Sequence, residues 1–142
     1  MTIKFTADDM RYIAIFEGLT GASVKDCIIS DDGGTVTLVV NKGNFGIAIG
    51  HEGVKVKKAI KVIGKGIEIV EYSEDPVEFL KNAFFPAEVI AVKIIEKDGK
   101  KVAAVKIDPH DKGIAVGRRG KKVQGAKKLL NRHHDIQNIV LT

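Results

Sequence analysis

The segment "GIAIGHEGVKVKKAIKVI", Gly46–Ile63, is written again as "GIAVGRRGKKVQGAKKLL", Gly113–Leu130. The two copies agree at nine of eighteen positions without a gap, including Gly46/Gly113, Ala48/Ala115, Gly50/Gly117, Gly53/Gly120, Lys55/Lys122 and Ala59/Ala126. A spacing of 67 residues in a chain of 142 is too long for a solenoid repeat and suits a duplicated small domain. A unit of about 70 residues buries only a thin core on its own. Two units joined by a minimal linker and packed in a fixed orientation are therefore expected. The boundary falls at Ser73–Glu74, giving units 1–73 and 74–142.

The flanks repeat in the same order. Residues 6–17, "TADDMRYIAIFE", read as a helix with Thr6 as cap, acids in the first turn, and Met10, Ile13 and Phe16 on one face. "VKDCIIS" and "TVTLVV" flank the turn signal "DDGG" and read as a hairpin. Residues 41–49 form a short helix that "GHEG" breaks. Residues 54–63 form a second helix, with Val56, Ile60 and Ile63 on its apolar face, and "GIEIVEY" is a strand. In the second copy Asp75 caps a helix over 75–85, with Pro76 at its first position. "EVIAVKII" and "KVAAVKI" make a hairpin, and "DPH" opens a short helix that ends at "GRRG". Residues 121–132 form the longer helix, and "IQNIVL" is the closing strand. Each copy is α-β-β-α-α-β, an α+β unit whose three-stranded sheet is covered on one face by helices.

Net charge is +5, and its placement matters more than its sum. Residues 42–65 hold six lysines against one acid, Glu52, while residues 112–132 hold five lysines and three arginines and no acid. Basic charge gathered on a repeated motif points to a polyanion partner, most simply nucleic acid. Aromatic residues make up only 6% and Trp is absent, which argues against recognition by a broad stacking face. The lone Cys27, in the apolar run "DCII", reads as an inert core residue. No apolar run approaches the length of a membrane span. The N-terminus lacks the basic start and apolar run of a secretory signal. A cytoplasmic protein with no membrane partner is expected.

In a G-x-x-G turn between two helices, the glycines admit positive φ and let a ligand backbone come close. The following helix presents its partially positive N-terminus, which suits phosphate. Gly50-His51-Glu52-Gly53 and Gly117-Arg118-Arg119-Gly120 are such turns. Lys55 and Lys57, or Lys121 and Lys122, add to the field, while Ile47 and Ile49, or Ile114 and Val116, offer a shallow floor for bases. Both copies resemble KH domains, whose GXXG loop clamps about four nucleotides of a single strand, and the element order resembles the type II arrangement. Two such domains in tandem resemble the short archaeal NusA-like transcription factors, and the resemblance covers nearly the whole chain.

That resemblance implies binding of single-stranded nascent RNA by a monomer, to modulate elongation or termination. Contacts are implied at Ile49, Gly50, His51, Glu52, Gly53, Lys55 and Lys57, and at Val116, Gly117, Arg118, Arg119, Gly120, Lys121 and Lys122. It implies RNA polymerase as a partner without assigning a residue to that contact, and no catalysis, cofactor or metal. If the two grooves align, the bound strand spans roughly ten nucleotides and gains avidity. "GHEG" departs from the family in placing no Lys or Arg between its glycines, and Glu52 repels phosphate. Lys55, Lys57, Lys58 and Lys61 stand in compensation, and the second domain is expected to supply more of the electrostatic affinity.

A plain tight turn is the alternative for a single G-x-x-G; two in one topology and in basic surroundings favour RNA. Gly46 and Gly113 fall inside a helix, at a cost of about 1 kcal/mol against Ala, which close packing or close approach of RNA would justify. "AVGRRGKK" misses the P-loop pattern at Ala115 and Lys122, and neither copy carries the dinucleotide fingerprint. The histidines make no metal set: His133 and His134 are adjacent and expected at the surface, and His51 and His110 belong to different units. Asp8-Asp9 and Asp31-Asp32 read as capping and turn chemistry, and no nucleophile stands beside a base, so an enzyme is not expected. Two other readings stay open: a ribosome-associated or ribosome-assembly KH protein, and a protein–protein module that docks on the polymerase.

Overall fold

Thr6 opens the first helix. Its hydroxyl accepts from the Asp9 amide at 3.1 Å, and the Asp9 carboxylate accepts from the Thr6 amide at 2.9 Å, a reciprocal capping box. In the computed structural model, which describes residues 3–142, this helix is α1 (Ala7–Thr20). The first two residues of the first expected unit lie outside the described residues. The helix runs past the expected end at residue 17 because Gly18 does not stop it; left-handed Gly21 does. Its core face is Tyr12, Phe16 and Thr20, and Met10 is 56% exposed. Met10 was expected on the core face beside Phe16. At about 100° per residue it lies roughly 120° around the helix from Phe16, and the 12-16-20 stripe meets the sheet instead.

β1 (Val24–Ile29) and β2 (Thr35–Val40) pair antiparallel, and β3 (Gly66–Glu71) runs parallel to β2, giving the order β1-β2-β3. Between β2 and β3 lie α2 (Phe45–Ile49) and α3 (Val54–Ile63). α2 starts later than the expected residue 41, because residues 41–44 form a turn closed by Asn44 N donating to Asn41 O at 3.0 Å. Phe16, Val36, Leu38, Val40, Ala48 and Ala59 form the fully buried heart of this unit. On α3 the buried residue is Ala59, flanked by half-buried Val56 and Ile63; Ile60, expected on the core face, is 40% exposed. Where α3 packs on α1 the contact takes a small side chain, because helix separation is set by the residues at the crossing.

The second unit repeats the plan. The Asp75 carboxylate accepts from the Val77 amide at 3.0 Å and Pro76 takes the first turn of α4 (Pro76–Phe84). β4 (Val89–Lys97) and β5 (Lys100–Ile107) are joined by Asp98-Gly99, with φ of 55° and 76°, as a two-residue hairpin turn of mirror-image type requires. α5 (Lys112–Val116) and α6 (Lys121–His134) follow, and β6 (Ile136–Leu141) lies parallel to β5. Phe79, Leu80, Phe84, Val105, Leu129 and Leu130 are fully buried. His133 and His134 are half-buried rather than surface residues: both rings stand edge-on to Phe79, at 5.7 and 5.4 Å between centroids. The chain divides into two compact units, one ending at Ser73 and the other running from Glu74 to Thr142.

Candidate nucleic-acid interface

The two G-x-x-G segments trace the same backbone path. Gly50 has φ 76° and ψ 174°, and Gly117 has φ 77° and ψ 171°, a region open almost only to glycine. Glu52 (φ 54°, ψ 27°) and Arg119 (φ 57°, ψ 26°) are both left-handed, as are Gly53 and Gly120. Each loop is closed by the same pair of bonds: Gly50 N to Gly46 O and Gly53 N to Gly50 O at 3.0 and 3.2 Å, and Gly117 N to Gly113 O and Gly120 N to Gly117 O at 3.0 and 3.1 Å.

The first glycine is also required by contact. A Cβ at Gly50 would lie 2.7 Å from Lys55 Cγ and 3.1 Å from its amide nitrogen; at Gly117 it would lie 2.7 Å from Lys122 Cβ and 2.9 Å from its amide nitrogen. The equivalent lysines thus pack beneath the entry to each loop. By contrast, a Cβ at Gly46 or Gly113 would meet no atom within 4 Å. Among the described residues, no close packing accounts for glycine at these helical positions. Gly113→Ala is accordingly expected to raise stability by about 0.5–1 kcal/mol, read as a higher midpoint of thermal unfolding. A lower midpoint would contradict the open space at this position.

Each loop ends on a helix of different character from α1 and α4. Those two are capped by Thr6 and Asp75, whereas α3 and α6 start at Gly53 and Gly120 with no side-chain cap. The first amide of each donates back into the loop, Val54 N to His51 O and Lys121 N to Arg118 O, and the positive helix end behind it suits an anion. Lys57, Lys58 and Lys61 are exposed on α3. On α6, Lys121, Lys128 and Arg132 fall on the side away from buried Ala126, Leu129 and Leu130. The α6 stripe beyond Lys121 was not among the expected site residues, although the spacing 121-128-132 carries it. Arg118 and Arg119 are exposed, and Lys121 and Lys122 half-buried. His51 and Glu52 are 93% and 82% exposed, with Nε2 and Oε1 3.8 Å apart. Such an exposed contact holds little energy.

Before each loop stand the expected apolar residues. Ile47, Ile114 and Val116 are 45, 46 and 41% exposed, and Ile49 is half-buried. Large aliphatic side chains therefore face solvent at matching places in the two copies, beside the basic helix start. One expected site residue is occupied otherwise: Lys55 Nζ donates to the Thr20 carbonyl at 2.9 Å. Among the described residues no group of three or more His, Cys, Asp or Glu could hold a metal, and no helix is long and apolar enough to cross a membrane.

Known proteins share this pattern. The family model of the NusA-like second KH domain matches residues 76–141, and that of the KH domain matches residues 10–97. The chain is 37% identical over 142 residues to the "Probable transcription termination protein NusA" of Halobacterium salinarum, covering 100% of both chains. It is 34% identical over 139 residues to the protein of the same name from Methanocaldococcus jannaschii, covering 96% of this chain and 74% of that one. Among solved structures, the crystal structure of APE1850 matches with a TM-score of 0.80 at 32% identity, over 97% of this chain and 100% of that one. With a KH family model over residues 10–97, a NusA-like KH model over residues 76–141 and a relative 37% identical over the whole of both chains, the chain belongs to the NusA-like family of KH-domain proteins.

Proposed function

We propose that this protein binds single-stranded RNA, in particular nascent transcripts, through its two G-x-x-G loops, and acts without catalysis on transcription termination or elongation. The observation that carries this is the backbone path repeated at Gly50–Gly53 and Gly117–Gly120, each ending on an uncapped, basic helix start. The positive N-terminal ends of α3 and α6, which the glycines leave open to close approach, would hold phosphates, while Ile47 and Ile49, or Ile114 and Val116, would take bases. The names of the relatives support the transcription role, which makes RNA polymerase the second partner. Each loop is complete within one chain, so a monomer suffices. Because Arg118 and Arg119 occupy the places of His51 and Glu52, the second loop carries more of the electrostatic affinity.

The test is a salt titration of binding to a single-stranded RNA of about 12 nucleotides, with duplex RNA and duplex DNA as competitors. The expected slope of log K against log salt is about −0.7 per phosphate contacted. Arg118→Asp/Arg119→Asp is expected to weaken binding about 10- to 100-fold and to make the slope shallower by about 1.4, for two lost phosphate contacts. A protein with no preference for single strands, or a variant that binds like the parent, would favour a protein-docking role instead. The exposed His51 and Glu52 of the first loop would then be the place to look for the polymerase contact.

A further inference from the structure

Lys55 is the second residue of α3, where a lysine is expected to meet phosphate. Its ammonium donates instead to the carbonyl of Thr20, 2.9 Å away, at the end of α1. Thr20 is 3% exposed; its hydroxyl donates to Phe16 O at 2.8 Å and accepts from the Ala22 amide at 3.1 Å. A lysine here satisfies an otherwise unpaired helix-end carbonyl and suits the negative end of the α1 dipole. The stem of the same side chain fills the space against Gly50. Lys55 therefore touches the entry of the loop at one end and the end of α1 at the other.

A second tie starts from the same connection. The Ser23 amide donates to Asn44 Oδ1 at 2.9 Å, and Asn41 Nδ2 donates to Ser23 Oγ at 2.7 Å. Asn44 immediately precedes α2. The α1–β1 connection is thus bonded to the start of α2 and to the start of α3, the two helices that the loop joins. Lys57, Lys58 and Lys61 lie on the exposed side of α3, whereas Lys55 is half-buried at the edge of its core face.

We propose that Lys55 is a positioning residue: it holds the first G-x-x-G loop in its binding geometry from below and does not neutralise a phosphate. This rests on the RNA-binding reading above. Lys57, Lys58 and Lys61 then supply the charge of the first site.

The experiment compares Lys55→Met, Lys55→Arg and Lys57→Met in the full chain, all kept well below their unfolding midpoints. Amide hydrogen exchange of residues 50–56 is followed in the free protein, with residues 117–123 as the internal control. Lys55→Met is expected to speed exchange about tenfold in the first loop alone; Lys55→Arg restores protection, and Lys57→Met leaves it unchanged. In the RNA titration, Lys55→Met weakens binding at every salt concentration with the slope kept, whereas Lys57→Met lowers the slope by about 0.7. Unchanged exchange in Lys55→Met, or a slope lowered as in Lys57→Met, would overturn the proposal. If the parent protein shows no preference for single-stranded RNA, the RNA reading falls. The exchange comparison still decides whether Lys55 holds the loop.

Discussion

Gly117→Ala is expected to cost the second unit about 2–4 kcal/mol and to abolish RNA binding by its loop. Two effects combine. With φ 77° and ψ 171°, a side chain enters a backbone region that only glycine occupies without strain. The added methyl would also sit 2.9 Å from the Lys122 amide nitrogen and 3.3 Å from its Cα. Backbone cannot rotate away as a side-chain end can, so the start of α6 must move. That movement displaces the helix N-terminus that holds phosphate. Gly50→Ala meets the same strain but a softer obstacle, since its nearest atom is Lys55 Cγ at 2.7 Å and the nearest backbone atom lies at 3.1 Å. The expected order of damage is therefore Gly117 above Gly50, read from denaturant midpoints of the two single variants. Equal stability of Gly117→Ala and the parent protein would contradict the loop geometry.

Phe79→Ala is expected to destabilise the second unit by about 3–5 kcal/mol, the largest effect of any substitution considered. Phe79 is fully buried on α4, and the rings of His133 and His134 at the end of α6 stand edge-on to it. Truncation leaves a cavity on the α4 side and removes both aromatic contacts, each of them worth about 0.5–1.5 kcal/mol for an aromatic pair. In a unit of this size 1 kcal/mol moves the midpoint by about 4–8 °C, so a fall of more than about 10 °C is the result to look for in a thermal scan. A loss below about 1 kcal/mol would mean that α4 and α6 are held together by other contacts. The consequence for RNA is indirect: α6 carries the G-x-x-G loop at its first turn, and its last turn is seated on Phe79.

The two copies use their shared residues unequally. Ala48 and Ala115, like Ala59 and Ala126, are buried in both units, so these identities preserve close helix approach. Gly50 and Gly117 preserve the loop path. The pairs His51/Arg118 and Glu52/Arg119 lie on that common path and differ only in what they present to solvent. One scaffold thus carries two chemically different loop tips. This is why a charge substitution at 118 and 119 reports on electrostatics, while a substitution at 117 reports on geometry.

Element order, caps and turns were legible in the sequence because they are local. Thr6 with Asp9, Asp75 with Pro76, the Asp31-Asp32-Gly33-Gly34 turn and the two glycine-bounded loops each set their conformation within a few residues. The duplication itself is a property of the string of residues and needed no coordinates. Which side of a helix faces the sheet was not legible. α1 has two apolar stripes, and only the packing decides that Tyr12 is buried and Met10 exposed. On α3 hydrophobicity favours Ile60, yet the crossing with α1 takes Ala59, because there small size counts for more than apolar area. Lys55 is the clearest case. Its charge and its place after the loop are written in the sequence, but its partner is a carbonyl 35 residues away. A contact at that separation exists only after the sheet has folded α1 against α3, so the sequence alone determined that a cation stands there, and tertiary structure decided what it holds.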